Sequence, residues 1–226
     1  MCVIAVSKAG VKQPTKEQLE TMFKRNPHGA GYMYAKDGKV TIHKGFMDFK
    51  DFYRAVCNEH FGKDDAVVYH FRISTQAGVN PRMTHPFPLT KIRENCEKLD
   101  VRCTVGIAHN GIIRMTSDAK ETRFSDTVIF ITDYMTKLIR DRADITDSAV
   151  REMIDNMTNS KWAIMDGVTG EIVTIGQFIN DGGLLFSNST YTEALYGHKY
   201  TIEPPKKFNW DDYYEGYYGV RRELAR

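Results

Sequence analysis

The second residue of the chain is a cysteine, in the run Met1-Cys2-Val3-Ile4-Ala5-Val6. An initiator methionine is removed when the next residue is small, which would leave Cys2 with a thiol and a free α-amino group. The reference pKa is about 8.5 for the thiol and about 7.7–8.0 for the amine. A nucleophile and a base of matched basicity would then lie on one residue. Alternatively, Cys2 opens a buried strand and serves as a small hydrophobic residue.

Two further positions could stabilise the negative charge that forms when a thiolate attacks a carbonyl carbon. Asn110 offers a side-chain amide, and Gly111 offers a backbone N–H with no side chain in the way. Donors placed where such an oxyanion develops contribute about 3–4 kcal/mol each, judged by their removal. An Asn-Gly pair is also typical of a type I′ hairpin turn, and both interpretations can hold together.

Arg72 and Asp126 are suited to a substrate that carries both charges. The Arg72 guanidinium can bind a carboxylate through two parallel hydrogen bonds, and the Asp126 carboxylate can pair with an ammonium group. The simpler alternatives are a structural ion pair for Arg72 and, for Asp126, compensation of a helix dipole next to Ser125. Together the two residues would clamp the charged groups of an amino acid.

The order of these motifs resembles that of the class II glutamine amidotransferases, whose N-terminal-nucleophile domains hydrolyse glutamine to ammonia. The family pattern is an initial cysteine, a strand-end arginine with a threonine three residues on, a His-Pro pair, a His-Asn-Gly run and an aspartate at a helix start. The matching residues are Cys2, Arg72 with Thr75, His85-Pro86, His109-Asn110-Gly111 and Asp126. The turn from Asn26 to Gly31 also resembles a glycine-containing turn of the family, and the whole resemblance runs from about Cys2 to Ser189.

The resemblance implies that Cys2 is the nucleophile, with its own amine as the base, and that Asn110 and Gly111 donate to the oxyanion. The substrate-binding residues that it implies are Arg72, Thr75, His85 and Asp126. The implied fold is α+β, a four-layer αββα N-terminal-nucleophile hydrolase sandwich of two antiparallel sheets flanked by helices. The implied reaction forms a γ-glutamyl thioester on Cys2 and releases ammonia.

Two positions near the arginine depart from the family pattern. The family often has Trp after the arginine and His after the threonine, where this chain has Ile73 and Gln76. Both positions shape the glutamine-binding loop, so a γ-glutamyl amide or peptide is an alternative substrate. The rival interpretations are a stand-alone amidohydrolase of γ-glutamyl compounds and a non-catalytic binding module on the same fold.

Most members of the family carry a second catalytic domain that uses the ammonia. We expect the nucleophile domain to span residues 2–190, and the remaining residues, 191–226, are too few for such a domain. The expected partner is therefore a separate ammonia-accepting enzyme, if ammonia is transferred at all. The C-terminal extension has an aromatic stripe at helical spacing, which predicts packing onto the body of the protein or docking of a partner: Trp210, Tyr213, Tyr214, Tyr217 and Tyr218.

The hydrophobic pattern predicts the elements that would position these residues. The expected strands are 2–6, 31–35, 40–44, 66–72, 103–109, 162–165, 172–175 and 184–187. The expected helices begin after the N-caps Thr15, Asp48, Ser125 and either Thr146 or Asp147. Residues 73–89 read as a long irregular stretch, which inside a compact domain is typical of a functional loop.

The composition argues against several classes of protein. The net charge is +2 and no dense basic run occurs, so we expect no direct nucleic-acid partner. No apolar run approaches the roughly 18 residues of a membrane helix, and the first residues lack the zones of a secretory signal. We therefore expect a cytoplasmic protein without a membrane association.

The cysteines and histidines give no metal pattern. Cys2, Cys57, Cys96 and Cys103 match no usual zinc spacing, and none of the seven histidines is paired at helical or hairpin spacing. We therefore expect free thiols, no metal and no cofactor. Cys57 falls on the apolar stripe of the helix that follows Asp48, which predicts a core position.

Overall fold

The computed structural model describes residues 2–74, 77–116 and 123–192. These residues belong to one compact unit, Met1–Glu193. Three sequence predictions lie outside the described residues: Thr75, Gln76 and the aromatic C-terminal stripe. The described chain is α+β and contains two antiparallel sheets, which confirms the predicted class.

The described residues contain a strand at each predicted position and, in addition, the unpredicted short strands Phe87–Pro88 and Ile179–Asp181. In chain order the strands are β1 Val3–Ser7, β2 Ala30–Lys36, β3 Lys39–Phe46, β4 Val67–Phe71, β5 Phe87–Pro88, β6 Asp100–Cys103, β7 Val105–Asn110, β8 Lys161–Asp166, β9 Ile172–Ile175, β10 Ile179–Asp181 and β11 Leu184–Phe186. The first sheet has the order β10-β11-β1-β4-β2-β3-β6, and the second has the order β5-β7-β8-β9. All the pairings are antiparallel.

The helices begin where the sequence places their caps. They are α1 Lys16–Arg25, α2 Phe49–Glu59, α3 Asp126–Phe130, α4 Thr136–Leu138 and α5 Ser148–Thr158, with a π-helical turn at Ile131–Met135 and 3₁₀ turns at Pro81–Met83, Arg93–Glu97, Arg142–Ile145 and Ser189–Tyr191. Thr15, Asp48, Ser125 and Asp147 are the N-caps of α1, α2, α3 and α5. Within the described ranges, no helix is long and apolar enough to span a membrane.

The core between the two sheets follows from the alternation of side chains along each strand. In β1, Ile4 and Val6 point toward the second sheet, where they share a cluster with Ala108 and Ala163. Val3, on the other face of β1, packs in a different cluster beneath α1 and α2. Since side chains alternate along a strand, Cys2 lies on the same face as Ile4, between the sheets.

Helices cover the outer face of each sheet. Leu19 and Met22 of α1 and Phe52 of α2 pack on the outer face of the first sheet. On the outer face of the second sheet, Val128 of α3 and Ile154 of α5 pack with strand residues such as Ile164 and Val173.

Two local predictions are wrong. Cys57 is exposed rather than part of the core, because α2 is covered on one side only and Cys57 lies at the edge of its apolar stripe. The predicted strand 103–109 is divided at Thr104 into β6 and β7, which belong to different sheets. The division matters for the site because β7 alone leads into Asn110.

Candidate active site

The strand register brings the two ends of the sequence motif together. In the first sheet Val3 of β1 is paired with Phe71 of β4. Continuing this antiparallel register by one residue sets Cys2 beside Arg72. Both residues then lie on the face of the first sheet that looks toward the second, because alternate residues share a face.

The thiol of Cys2 is held by the backbone of a single residue. Ile73 N–H donates to Cys2 Sγ at 3.3 Å, and the thiol in turn is 3.4 Å from the carbonyl oxygen of Ile73, to which it donates. Burial raises the pKa of the Cys2 thiol, while the Ile73 hydrogen bond and the Arg72 charge act in the opposite direction. The resting thiol therefore keeps its proton, and attack requires a base that removes it.

The glycine-containing turn between α1 and β2 fixes the backbone of Arg72. Arg72 N–H donates to the Gly29 carbonyl oxygen at 2.8 Å, and His28 N–H donates to the Arg72 carbonyl oxygen at 3.0 Å. The Arg72 side chain is 4% exposed, and its Nη1 donates to the Gly78 carbonyl oxygen at 2.8 Å. Burial lowers the pKa of this guanidinium, and the nearby Cys2 and Asp126 oppose that effect.

The first residue of α3, Asp126, places a carboxylate near Arg72. Ser125 caps the helix, and Asp126 accepts hydrogen bonds from Ile113 N–H at 2.7 Å and from Thr127 N–H at 2.8 Å. Burial raises the pKa of Asp126, whereas these hydrogen bonds and the Arg72 charge lower it. A buried carboxylate is a hydrogen-bond acceptor of the kind that an ammonium group binds.

Gly111 has no room for a side chain. An added Cβ would collide with the side chain of Ser160, and it would lie 3.1 Å from His109 Nε2. The chain therefore passes close to Ser160 and His109 at this point. Asn110, one residue earlier, is 5% exposed, and its Nδ2 donates to Ser187 Oγ at 2.8 Å.

Three buried imidazoles lie side by side next to these residues. The His85 ring is 4.2 Å from that of His70 and 6.3 Å from that of His109, centroid to centroid. His70 Nε2 donates to the His109 carbonyl oxygen at 2.9 Å, and His109 Nδ1 lies 2.8 Å from the Thr127 hydroxyl. Neither nitrogen of His85 has a hydrogen-bond partner among the described residues.

The imidazoles are neutral because the fold removes them from water. Burial lowers the pKa of His70 and of His109 to about 3, and that of His85 well below its ordinary value. The neighbouring imidazoles and the cations Arg72 and Lys44 add to the effect for His85. These rings can donate or accept hydrogen bonds, but they carry no charge near neutral pH.

One cleft gathers most of the predicted residues. It holds about 310 Å³ of empty space, part of it open to solvent, and is lined by Cys2, Arg72, Ile73, His85, His109, Gly111, Ser125, Asp126 and Thr127. Five predicted site residues are therefore brought together. Thr75 lies outside the described residues, and Asn110 is not part of the lining although both of its chain neighbours are.

The sequence prediction did not assign His109, Ser125 or Thr127 to the site lining. All three directly adjoin predicted site residues, so the signal was their position within the motifs. The side chains of Ser125 and Thr127 gave no separate signal of a site, because both are ordinary residues at the start of a helix. Within the part of the chain that the structure describes, no group of three or more His, Cys, Asp or Glu side chains is arranged to hold a metal ion.

The neutral imidazoles predict a loss of stability in mild acid. In the unfolded chain a histidine takes up a proton near pH 6.5, whereas folded His70 and His109 stay neutral down to about pH 3. Stability is therefore complete above pH 6.5 and is expected to fall by about 1.4 kcal/mol per pH unit for each such histidine as the pH decreases. Urea unfolding at pH 7, 6 and 5 measures this slope.

A buried and an exposed histidine provide the comparison. In His70→Gln the slope is expected to decrease, because the amide can still donate to the His109 carbonyl but does not titrate. In His60→Asn, at an exposed position with left-handed backbone, the slope is expected to remain that of the wild type. Equal slopes in the wild type and His70→Gln would contradict the interpretation.

Comparison with known proteins gives no further information on the site. No known family model matches the chain, and a search of curated proteins gives no significant match. Any functional assignment therefore rests on the residues of the cleft and on the order of the motifs.

Proposed function

We propose that the chain is an N-terminal-nucleophile hydrolase of the class II glutamine amidotransferase type, which releases ammonia from the side-chain amide of glutamine. The observation that carries the proposal is the strand register, which sets Cys2 beside Arg72 in a cleft that also contains Asp126. A cysteine, a buried cation and a buried carboxylate around one cleft fit a substrate with an amide and two opposite charges. Two helix-covered sheets that share a core are compatible with the four-layer αββα sandwich of such enzymes.

The first step of the proposed reaction forms a thioester. Removal of Met1 frees the α-amine of Cys2, which takes the thiol proton as sulfur attacks the amide carbon of the substrate. The oxyanion that results accepts hydrogen bonds from Gly111 N–H and from the Asn110 amide. As the tetrahedral adduct collapses, the C–N bond breaks and the leaving nitrogen takes the proton from the amine, so that ammonia departs.

The second step returns the enzyme to its starting state. A water molecule gives one proton to the Cys2 amine and attacks the thioester carbon, and the C–S bond breaks to release glutamate. The proton then returns to sulfur. Arg72 and Asp126 hold the α-carboxylate and the α-ammonium group throughout, which keeps the reacting carbon near sulfur.

The proposal allows two roles that differ in the leaving group. Ammonia released from glutamine is taken up as a nucleophile by a separate enzyme, or the protein acts alone on γ-glutamyl compounds and releases the amine bound to their γ-carbonyl. Ile73 lines the cleft, and an apolar residue at this position favours acceptance of a substituent on the amide nitrogen. We expect the protein to act in the cytoplasm in either role.

A substrate panel tests the proposal. With protein whose first residue is Cys2, we expect equal amounts of glutamate and ammonia from glutamine, and none from asparagine, whose side chain is one methylene shorter. γ-Glutamyl anilide and γ-glutamyl peptides separate the two roles, since faster turnover of these compounds than of glutamine identifies the stand-alone hydrolase. Absence of turnover with every γ-glutamyl amide would leave a binding module and would refute the proposed function.

A further inference from the structure

The side chain of Ser187 connects the strand that carries Cys2 to Asn110. Ser187 follows β11 and is fully buried. Its Oγ accepts a hydrogen bond from Ile4 N–H at 2.8 Å and another from Asn110 Nδ2 at 2.8 Å. Its backbone N–H donates to the Ile4 carbonyl oxygen at 2.9 Å. One residue thus holds both β1 and the end of β7.

The next residue holds the backbone of the nucleophile itself. Asn188 Nδ2 donates to the Cys2 carbonyl oxygen at 2.6 Å. The orientation of this amide is fixed, since its Oδ1 accepts from the N–H of Thr190 at 3.0 Å and from the Thr190 hydroxyl at 2.7 Å. Neither Ser187 nor Asn188 belongs to the sequence motif, yet together they contact Cys2, Ile4 and Asn110.

The hydrogen bonds of Asn110 are incomplete in a way that points to a ligand. Its Oδ1 is buried and has no hydrogen-bond partner among the described residues. The Ser187 hydroxyl oxygen accepts hydrogen bonds from Ile4 N–H and from Asn110 Nδ2. Among the described residues, no acceptor is found for the proton of this hydroxyl. A buried donor and a buried acceptor are therefore unmatched at adjacent groups, which is unfavourable.

Rotation of the carboxamide by half a turn removes this mismatch. The two ends of an amide have nearly the same shape, so the rotated side chain fills the same space. Ser187 then donates its hydroxyl proton to Asn110 Oδ1 and still accepts from Ile4 N–H. The Asn110 NH₂ group takes the place of the unpartnered oxygen, and of these two side chains it is the group that then has no partner among the described residues. A free, buried donor is what a developing oxyanion requires.

We propose that Ser187 is a positioning residue that holds the Asn110 carboxamide with its NH₂ group directed at the reacting carbonyl oxygen. This inference rests on the proposed function, because only an oxyanion on a Cys2-bound intermediate gives the donor its use. Ser187 acts through Asn110 and does not touch the substrate. Its link to Ile4 keeps the donor in register with the strand that bears the nucleophile.

A double-mutant cycle on glutamine hydrolysis tests this role. Asn110→Ala removes the donor and is expected to lower kcat by about 10²–10³-fold. Ser187→Ala leaves the donor present but misplaced, and is expected to lower kcat by up to about 10²-fold with little change in KM. The double variant is expected to match Asn110→Ala, since Ser187 has nothing left to position. Multiplied effects, or an unchanged kcat in Ser187→Ala, would overturn the proposal.

An NMR measurement keeps the inference separate from the proposed function. The side-chain NH₂ of Asn110 is assigned as the signal that Asn110→Ala lacks. If this group faced Ser187, its protons would lie near the Ile4 amide proton and give a strong nuclear Overhauser effect. We expect that effect to be weak or absent, and a strong one would refute the orientation even in an active enzyme. A wild type without hydrolysis refutes the proposed function through the substrate panel instead.

Discussion

Hydrolysis of glutamine is expected to be slower by about 10²–10⁴-fold while any residue precedes Cys2, and to reach its full rate when that residue is removed. The reason is that the base is the α-amine of Cys2 itself, and an amide nitrogen in its place cannot take a proton. Loss of a general base typically lowers the rate by about 10²–10⁴-fold. The measurement uses a protein with an N-terminal extension that ends in a protease site directly before Cys2, assayed for ammonia before and after cleavage.

The same design carries its own control. In the Cys2→Ala variant of the extended protein, cleavage frees an amine but provides no sulfur, so ammonia release is expected to be absent both before and after. Circular dichroism of the cleaved and uncleaved proteins verifies that the fold is the same. Equal turnover before and after cleavage in the Cys2 protein would show that the amine is not the base.

The second large effect is expected at Asp126, which is proposed to pair with the α-ammonium group of the substrate. Hydrogen bonds to charged groups contribute about 1.5–3 kcal/mol, which corresponds to roughly 10- to 100-fold in kcat/KM. The wild type is therefore expected to prefer glutamine over α-N-acetylglutamine, which has no ammonium group. Asp126→Asn is expected to lose this preference, because its activity decreases for glutamine and much less for the acetylated compound.

The ratio of kcat/KM for the two substrates distinguishes loss of the contact with the ammonium group from general damage to the protein. A variant that is merely distorted or unstable would lose activity toward both compounds, and the ratio would remain that of the wild type. Asp155→Asn, at an exposed position of α5, removes an equal charge far from the motif residues in the sequence and is expected to change neither rate. An unchanged preference in Asp126→Asn would contradict the pairing with the ammonium group.

Local sequence signals determined much of the secondary structure. The N-caps Thr15, Asp48 and Ser125 all occur as predicted, and Thr15 forms a capping box with Gln18. The Asp37-Gly38 pair joins β2 and β3, both of its residues having positive φ angles. These features depend on residues a few positions apart, which is the range over which a single sequence carries direct information.

The site was predictable where the motif residues themselves form it. Cys2, Arg72, His85, Gly111 and Asp126 all line one cleft. Their convergence depends on the pairing of β1 with β4, which are about sixty residues apart in the chain, and the hydrophobic pattern alone does not specify which strands pair. The resemblance implied that these residues share one site, but it did not state which strands pair.

Other features of the site could not be read from the sequence. Ser187 and Asn188 follow a short strand and look like the start of an ordinary loop. Their contacts with Ile4, Cys2 and Asn110 arise only because β11 lies next to β1 in the sheet. Likewise, the three imidazoles come from β4, β7 and the loop before β5, and only the packing of the two sheets brings them together.

Covalent labelling tests the central claim most directly, namely that Cys2 is a nucleophile in a cleft that binds glutamine. A diazoketone analogue of glutamine forms a stable thioether with an attacking thiolate, and peptide mass spectrometry identifies the modified residue. The four cysteines differ in accessibility, since Cys57 is exposed and Cys96 is buried. We expect one label, on Cys2, which excess glutamine suppresses and which is absent while a residue still precedes Cys2. Labelling of Cys57 at an equal rate, or no label on Cys2, would contradict the claim.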